Sequence, residues 1–183
     1  MERDRALAEL NGRLTNKNLF KHSLAVEAIM RALAEQFNED ADKWGLAGLL
    51  HDIDYDRTAS DPSRHAALGA EILEDLGVDS SIVYAVKAHN EALGLERKRK
   101  MDKALFAADP VSGLITAAAL ILPSKKLEDV TTEFVIKRFG EKGFARGAGR
   151  EQIMECEKLG FTLERFVDIA LNAMKGISGE LGL

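Results

Sequence analysis

Residues 49–56 read LLHDIDYD, which places one of only four histidines directly before Asp52, Asp54 and Asp56. Taken alone, a His-Asp pair is ordinary material for a solvated helix end and the acidic turn that follows it. The remaining histidines change that reading. His22, His51, His65 and His89 fall on, or at the ends of, four successive apolar segments, and Asp52 and Asp109 add carboxylate oxygens. Imidazole nitrogen mixed with carboxylate oxygen suits iron, manganese, cobalt, nickel or zinc, and suits a calcium cage poorly. Asp109 is the hardest to dismiss, because LFAA precedes it and PVSGLITAAALIL follows. A carboxylate there carries a desolvation cost unless a cation, a proton or hydrogen bonds satisfy it; a helix cap for PVSGL is the structural alternative. Cys156 is the only cysteine, so a disulfide within the chain and a thiolate metal cluster are both excluded. It lies in an apolar helical pattern and reads as a small core residue.

The elements that must position these residues are helical by pattern. NLFKHSLAVEAIMRALAEQF carries Leu19, Val26, Ile29, Leu33 and Phe37 on one recurring stripe, with His22 on or beside it. A second helix is predicted from near Ala41 to His51, with DIDYD as the turn leaving it. Asp61 and Pro62 look like the start of a third, SRHAALGAEILEDLG, with His65 in its first turn, Leu68, Ile72 and Leu76 facing inward, and Gly77 at its end. Asp79 or Ser80 caps the next, which ends near His89. Pro110 is expected to kink or restart the helix that follows. No run of alternating strands and no glycine-rich phosphate loop is present. The expected architecture is an all-α, single-domain helical bundle over residues 1–183.

At 183 residues the chain suffices for one substantial core, and its net charge of −5 gives no general attraction to nucleic acid or anionic lipid. The charged N-terminus, MERDRALAEL, lacks a secretory pattern, so a cytoplasmic setting is expected. VSGLITAAALILP, at 111–123, falls short of the roughly 20 residues that cross a bilayer and reads as a core helix. The pattern sets no oligomeric state.

In order and context the ligand-type residues resemble those of the HD-domain metal-dependent phosphohydrolases. That family carries a histidine in its first helix, an adjacent His-Asp pair and a later aspartate, matched here by His22, His51 with Asp52, and Asp109. Two-metal members add two histidines between the pair and the last aspartate, and SRHAALGAEIL and VKAHNE provide them as His65 and His89. The resemblance covers residues 18–122, leaving 123–183 as a C-terminal helical extension. It implies two divalent transition-metal ions, one held by His22, His51, Asp52 and Asp109, the other by Asp52, His65 and His89. It also implies water-based hydrolysis of a phosphate ester or anhydride in a small molecule, a nucleotide among the candidates; the charge and the apolar lengths above add the expectation of neither nucleic acid nor membrane as partner. A di-iron oxygenase shares the same ligand set, and a regulatory or binding module that retains the site is a third reading. The cyclic-dinucleotide branch is disfavoured, since HNEALGLE follows His89 where a glycine-and-tyrosine motif is expected.

Other residues extend this expectation. Asp54 and Asp56 are candidates to orient water or protonate the leaving oxygen, with turn capping or histidine support as the structural alternative. Several relatives have a lysine or glutamate shortly after the His-Asp pair, where this chain has Tyr55. Lys103 is a candidate to reach a bound phosphate from the same side of the helix as Asp109, with a solvated lysine as the alternative, and Arg146 and Arg150, flanking glycines in FARGAGRE, are candidates for a mobile phosphate clamp, with a flexible surface turn as the alternative.

Overall fold

The computed structural model describes residues 1–183, and every regular element in it is helical. The chain runs α1 (Arg3–Asn11), α2 (Lys17–Gln36), α3 (Ala41–Leu50), α4 (Tyr55–Thr58), α5 (Ala67–Asp75), α6 (Ser80–His89) and α7 (Lys100–Leu120). It continues through α8 (Thr132–Phe139), α9 (Arg150–Met154), α10 (Leu163–Lys175) and α11 (Ser178–Leu181). Side-chain oxygens close several helix starts by accepting first-turn N–H groups, among them Asn16 for α2, Asp40 for α3, Asp79 for α6 and Thr162 for α10.

Helix α3 is the central element. Every residue from Trp44 to Leu50 is buried, and the helix packs against α1, α2, α6 and α7. Burying a leucine such as Leu49 or Leu50 contributes roughly 1.5–3 kcal/mol, which fixes the helix end where His51 sits. Its contact with α2 is close because position 48 is glycine: a Cβ there would lie 2.7 Å from the Val26 carbonyl oxygen and 2.9 Å from the Glu27 Cα. Beside this contact Glu27 is buried, and it accepts from Arg3 Nε at 2.6 Å and Arg31 Nε at 3.0 Å, which ties α1 to α2.

Three expectations change. The third helix starts at Ala67, not at Asp61–Pro62, because Ala66 is left-handed at φ 64° and residues 62–66 form a turn. Its buried face is Gly69, Ala70 and Leu73, with Leu68, Ile72 and Leu76 only half-buried beside it. Helix α7 passes through Pro110 without restarting, which places Asp109 in mid-helix and removes its role as a cap. Counted whole, α7 has 21 residues and is long and apolar enough to cross a membrane, but 67% of its most apolar stretch is buried in the molecule. The 123–183 region joins the same core, where Val135, Ile153, Phe166 and Met174 belong to one cluster with Leu33, Leu50 and Leu105. Cys156 is buried in that cluster, and burial pushes its thiol up to about 11.

Candidate metal centre

Five segments deliver six ligand-type side chains to one place. His22 comes from the second turn of α2, His51 from the end of α3, and Asp52 from the turn behind it. His65 precedes left-handed Ala66, His89 ends α6, and Asp109 lies midway along α7. The Asp52 carboxylate stands between two groups. Its Oδ2 lies 3.4 Å from His51 Nε2 and 3.7 Å from His22 Nε2. Its Oδ1 lies 3.3 Å from His65 Nε2 and 3.8 Å from His89 Nε2. Asp109 Oδ1 closes the first group, 3.1 Å from His22 Nε2 and 3.9 Å from His51 Nε2.

Hydrogen bonding decides which imidazole nitrogen carries the proton. The Nδ1 of His51 meets the Gly48 carbonyl at 2.8 Å, that of His89 meets the Val86 carbonyl at 2.5 Å, and that of His65 meets Asp54 Oδ1 at 3.1 Å. Each of these partners only accepts, so each Nδ1 donates. Ser112 Oγ gives its proton to the Asp109 carbonyl at 2.8 Å, and so accepts from His22 Nδ1 at 3.0 Å. All four Nε2 atoms are thereby assigned as lone-pair donors. They face one another pairwise, at 3.2 Å for His22 with His51 and 3.2 Å for His65 with His89, and both pairs face carboxylate oxygens. Such a set is stable only with cations in it, protons or metal ions, and nitrogen donors whose far nitrogen is anchored are well suited to metals. The residues fit divalent transition metals.

The electrostatics agree. Burial pushes the His51 imidazole down. Burial also weighs most on His65, yet hydrogen bonds and charge from Asp52 and Asp54 together raise it to about 10. For His22 the Asp109 hydrogen bond and charge overcome burial and raise the imidazole. Asp52 is held well below the usual carboxylate range, because the surrounding histidines outweigh its burial, and Asp109 is held low mainly by His22 against the same penalty.

The outer residues divide differently from expectation. Asp54 is buried with both oxygens engaged: Oδ1 on His65, Oδ2 on the N–H groups of Ala66 at 2.8 Å and Gly69 at 3.0 Å. It fixes His65 and the start of α5, and its carboxylate is not offered to a substrate. Asp56 is exposed and accepts from Thr15 N at 2.6 Å and Thr15 Oγ1 at 2.7 Å, pinning the α1–α2 turn. Lys103 is six residues from Asp109 on one continuous helix, about 120° around its axis, so the two do not share a side. Arg150 is not a mobile clamp: its guanidinium donates to the carbonyls of Phe139, Phe144, Ala145 and Ala148 and locks the glycine-rich turn. Arg146 is exposed in that turn. Two residues went unnoticed in the sequence. Ser112 follows Asp109 by three positions, a spacing that puts both on one helix face, and Asn90 donates to the Pro62 and His65 carbonyls, each at 2.8 Å, bracing the turn that presents His65.

Comparison with known proteins agrees with this geometry. The HD domain model matches residues 19–114. Ribonuclease Y of Lawsonia intracellularis is 32% identical over 154 residues, covering 80% of this chain and 29% of the relative. Ribonuclease Y of Geobacter sulfurreducens is 30% identical over 172 residues, covering 91% and 32% respectively. The chain thus spans only about a third of the length of these relatives. Among solved structures, the HD domain of the Listeria monocytogenes phosphodiesterase PgpH matches at TM-score 0.54 and 15% identity, over 94% of this chain and 98% of that one. The same domain in complex with cyclic-di-AMP matches at TM-score 0.55 and 14% identity, over 94% and 96%. These two share the fold. With more than half of its length matched and the candidate ligand set assembled inside that stretch, the chain belongs to the HD-domain family.

Proposed function

We propose that this chain hydrolyses a phosphate ester or anhydride in a small phosphate-bearing molecule, with two divalent ions drawn from iron, manganese, cobalt, nickel and zinc. The observation that carries the reading is the Asp52 carboxylate, whose two oxygens face two separate histidine pairs. Two cations about 3.5–4 Å apart need a shared oxygen donor, and Asp52 is placed to be one. His22, His51 and Asp109 would hold the first ion, and His65 and His89 the second. When bound, such ions supply a water deprotonated near neutral pH and withdraw charge from the phosphoryl oxygens. The chain's own part is orientation. Four anchored imidazoles fix the donor directions, Asp54 holds His65, and the buried floor of His51 and His89 keeps bulk water from that side.

The ribonuclease relatives support a second reading of the substrate, an RNA phosphodiester. A net charge of −5 gives that reading little electrostatic help, so RNA belongs in the test and not in the primary assignment. Metal-loaded protein is to be assayed in water enriched in heavy oxygen against nucleotides, sugar phosphates, an aryl phosphate and a short single-stranded oligoribonucleotide. Heavy oxygen in the released phosphate or phosphomonoester is expected, without dioxygen consumption. Label arriving only from dioxygen would replace hydrolysis with oxygenase chemistry. Asp52→Ala is expected to lose both ions by elemental analysis and all turnover.

A further inference from the structure

A cavity of about 390 Å³ lies directly beside His22, between α2, α7 and the α11 turn. Its position matters because His22 both lines it and belongs to the more exposed half of the centre: the side chains of His22 and Asp109 are 22% and 34% exposed, against 0% for His51 and 3% for His89. Its lining is mixed: polar at Asn18 and Lys21 on α2 and at Thr116 on α7, apolar at Leu120 one turn further along α7 and at Leu181. Asn18 is one turn before His22 on α2, and Thr116 is two turns after Asp109 on α7, so the faces that present the ligands continue into the cavity. Arg3, Arg31 and Arg99 are each neutralised by a carboxylate, while Lys21 stands in the cavity wall without an ion-pair partner. Its ammonium packs over Gly182, where a Cβ would come within 2.9 Å of Nζ.

We infer that this cavity receives the organic half of the phosphate substrate, and that Lys21 is the specificity-determining residue that reads an anionic group on it. The assignment rests on the hydrolase reading above. A volume near 390 Å³ suits one aryl- or nucleoside-sized group. The leucines accept its apolar face, Asn18 and Thr116 its hydrogen-bonding edge, and Lys21 a carboxylate or a second phosphate. The reacting phosphorus would then sit at the His22–Asp109 mouth of the centre.

Phosphonates test this without turnover. Methylphosphonate, benzylphosphonate and 4-carboxybenzylphosphonate are titrated calorimetrically, under anaerobic conditions, into the metal-loaded full chain. Affinity is expected to rise about tenfold with the ring and about tenfold again with the carboxylate, each step being worth roughly 1.4 kcal/mol. Gly113 of α7, which also lines the cavity, supplies a filling variant, since a Cβ at this mid-helix position meets nothing within 4 Å. Gly113→Leu should erase both increments while metal content and methylphosphonate affinity stay as in the parent. Lys21→Met should erase only the carboxylate increment. Parental increments in Gly113→Leu would overturn the subsite, and a full carboxylate increment in Lys21→Met would overturn the role of the lysine. Failure of the parent protein to bind methylphosphonate at all would instead sink the phosphohydrolase reading, and the subsite with it.

Discussion

Ser112 gives its proton to a carbonyl of its own helix and by doing so decides which nitrogen of His22 is free for a metal. Ser112→Ala is therefore expected to weaken metal binding about 10- to 100-fold with little change in the apparent unfolding midpoint of the chelated protein, measured by competition with a chromophoric chelator. Cys156 offers a check of the opposite kind. Its buried thiol is held up to about 11, so its contribution to stability is complete below the ordinary thiol value of about 8.5 and is lost as pH climbs through about 11. Alkylation of the native protein at pH 8 should be far slower than that of the urea-unfolded chain, and equal rates would place the cysteine at the surface. Of the centre, the six ligand-type residues were legible because the chain has only four histidines and each abuts an apolar segment. Ser112 and Asn90 were not, because a serine inside an apolar helix or an asparagine at a helix end is common and only its partner gives it meaning. Asp54 was legible as a neighbour of the centre, with histidine support as one of its two readings, but sequence could not choose between them, since it does not say where two oxygens point.

At the scale of elements, the approach of α2 to α3 sets the spacing between His22 and His51, and Gly48 permits it. Gly48→Ala forces a methyl against the Val26 and Glu27 backbone, and should cost about 1–3 kcal/mol in urea unfolding, with weaker metal binding as the histidines part. A stable variant with unchanged metal affinity would show that the two helices can shift freely. Helix spans were readable from apolar periodicity, and α2, α3 and α6 begin or end close to where the pattern puts them. The start of α5 was not, because the N–H groups of Ala66 and Gly69 are claimed by Asp54, 12 and 15 residues earlier, which overrides the local signal from Asp61 and Pro62. Pro110 misled for a related reason. Inside a helix it removes one hydrogen bond, a penalty of about 3 kcal/mol, and the buried faces on both sides of it hold α7 together regardless. Arg150 looked like a ligand for phosphate because its neighbours are glycines, yet those glycines form the very turn whose carbonyls it binds.

Taken as a whole, the molecule is tied together through its centre. The ligands come from residues 22 to 109, spread over α2, α3, the turn before α5, α6 and α7, and the later helices α8 and α10 close over α2 and α7 in the same core. Ions held there bind the folded chain and not the unfolded one, so each ion at 100 times its dissociation constant should add about 2.7 kcal/mol of stability. The melting temperature is expected to rise with added metal and fall with chelator as a single transition, and Asp52→Ala should abolish the response. An unresponsive melting curve would mean that the centre is not loaded. The shared carboxylate carries this further, into the life of the protein in a cell. With Asp52 serving both ions, as proposed, starvation for metal would loosen five segments at once, and an opened chain is what proteases degrade. Abundance as well as the proposed activity would then follow the supply of the ion, with scarcity clearing away idle copies of the protein.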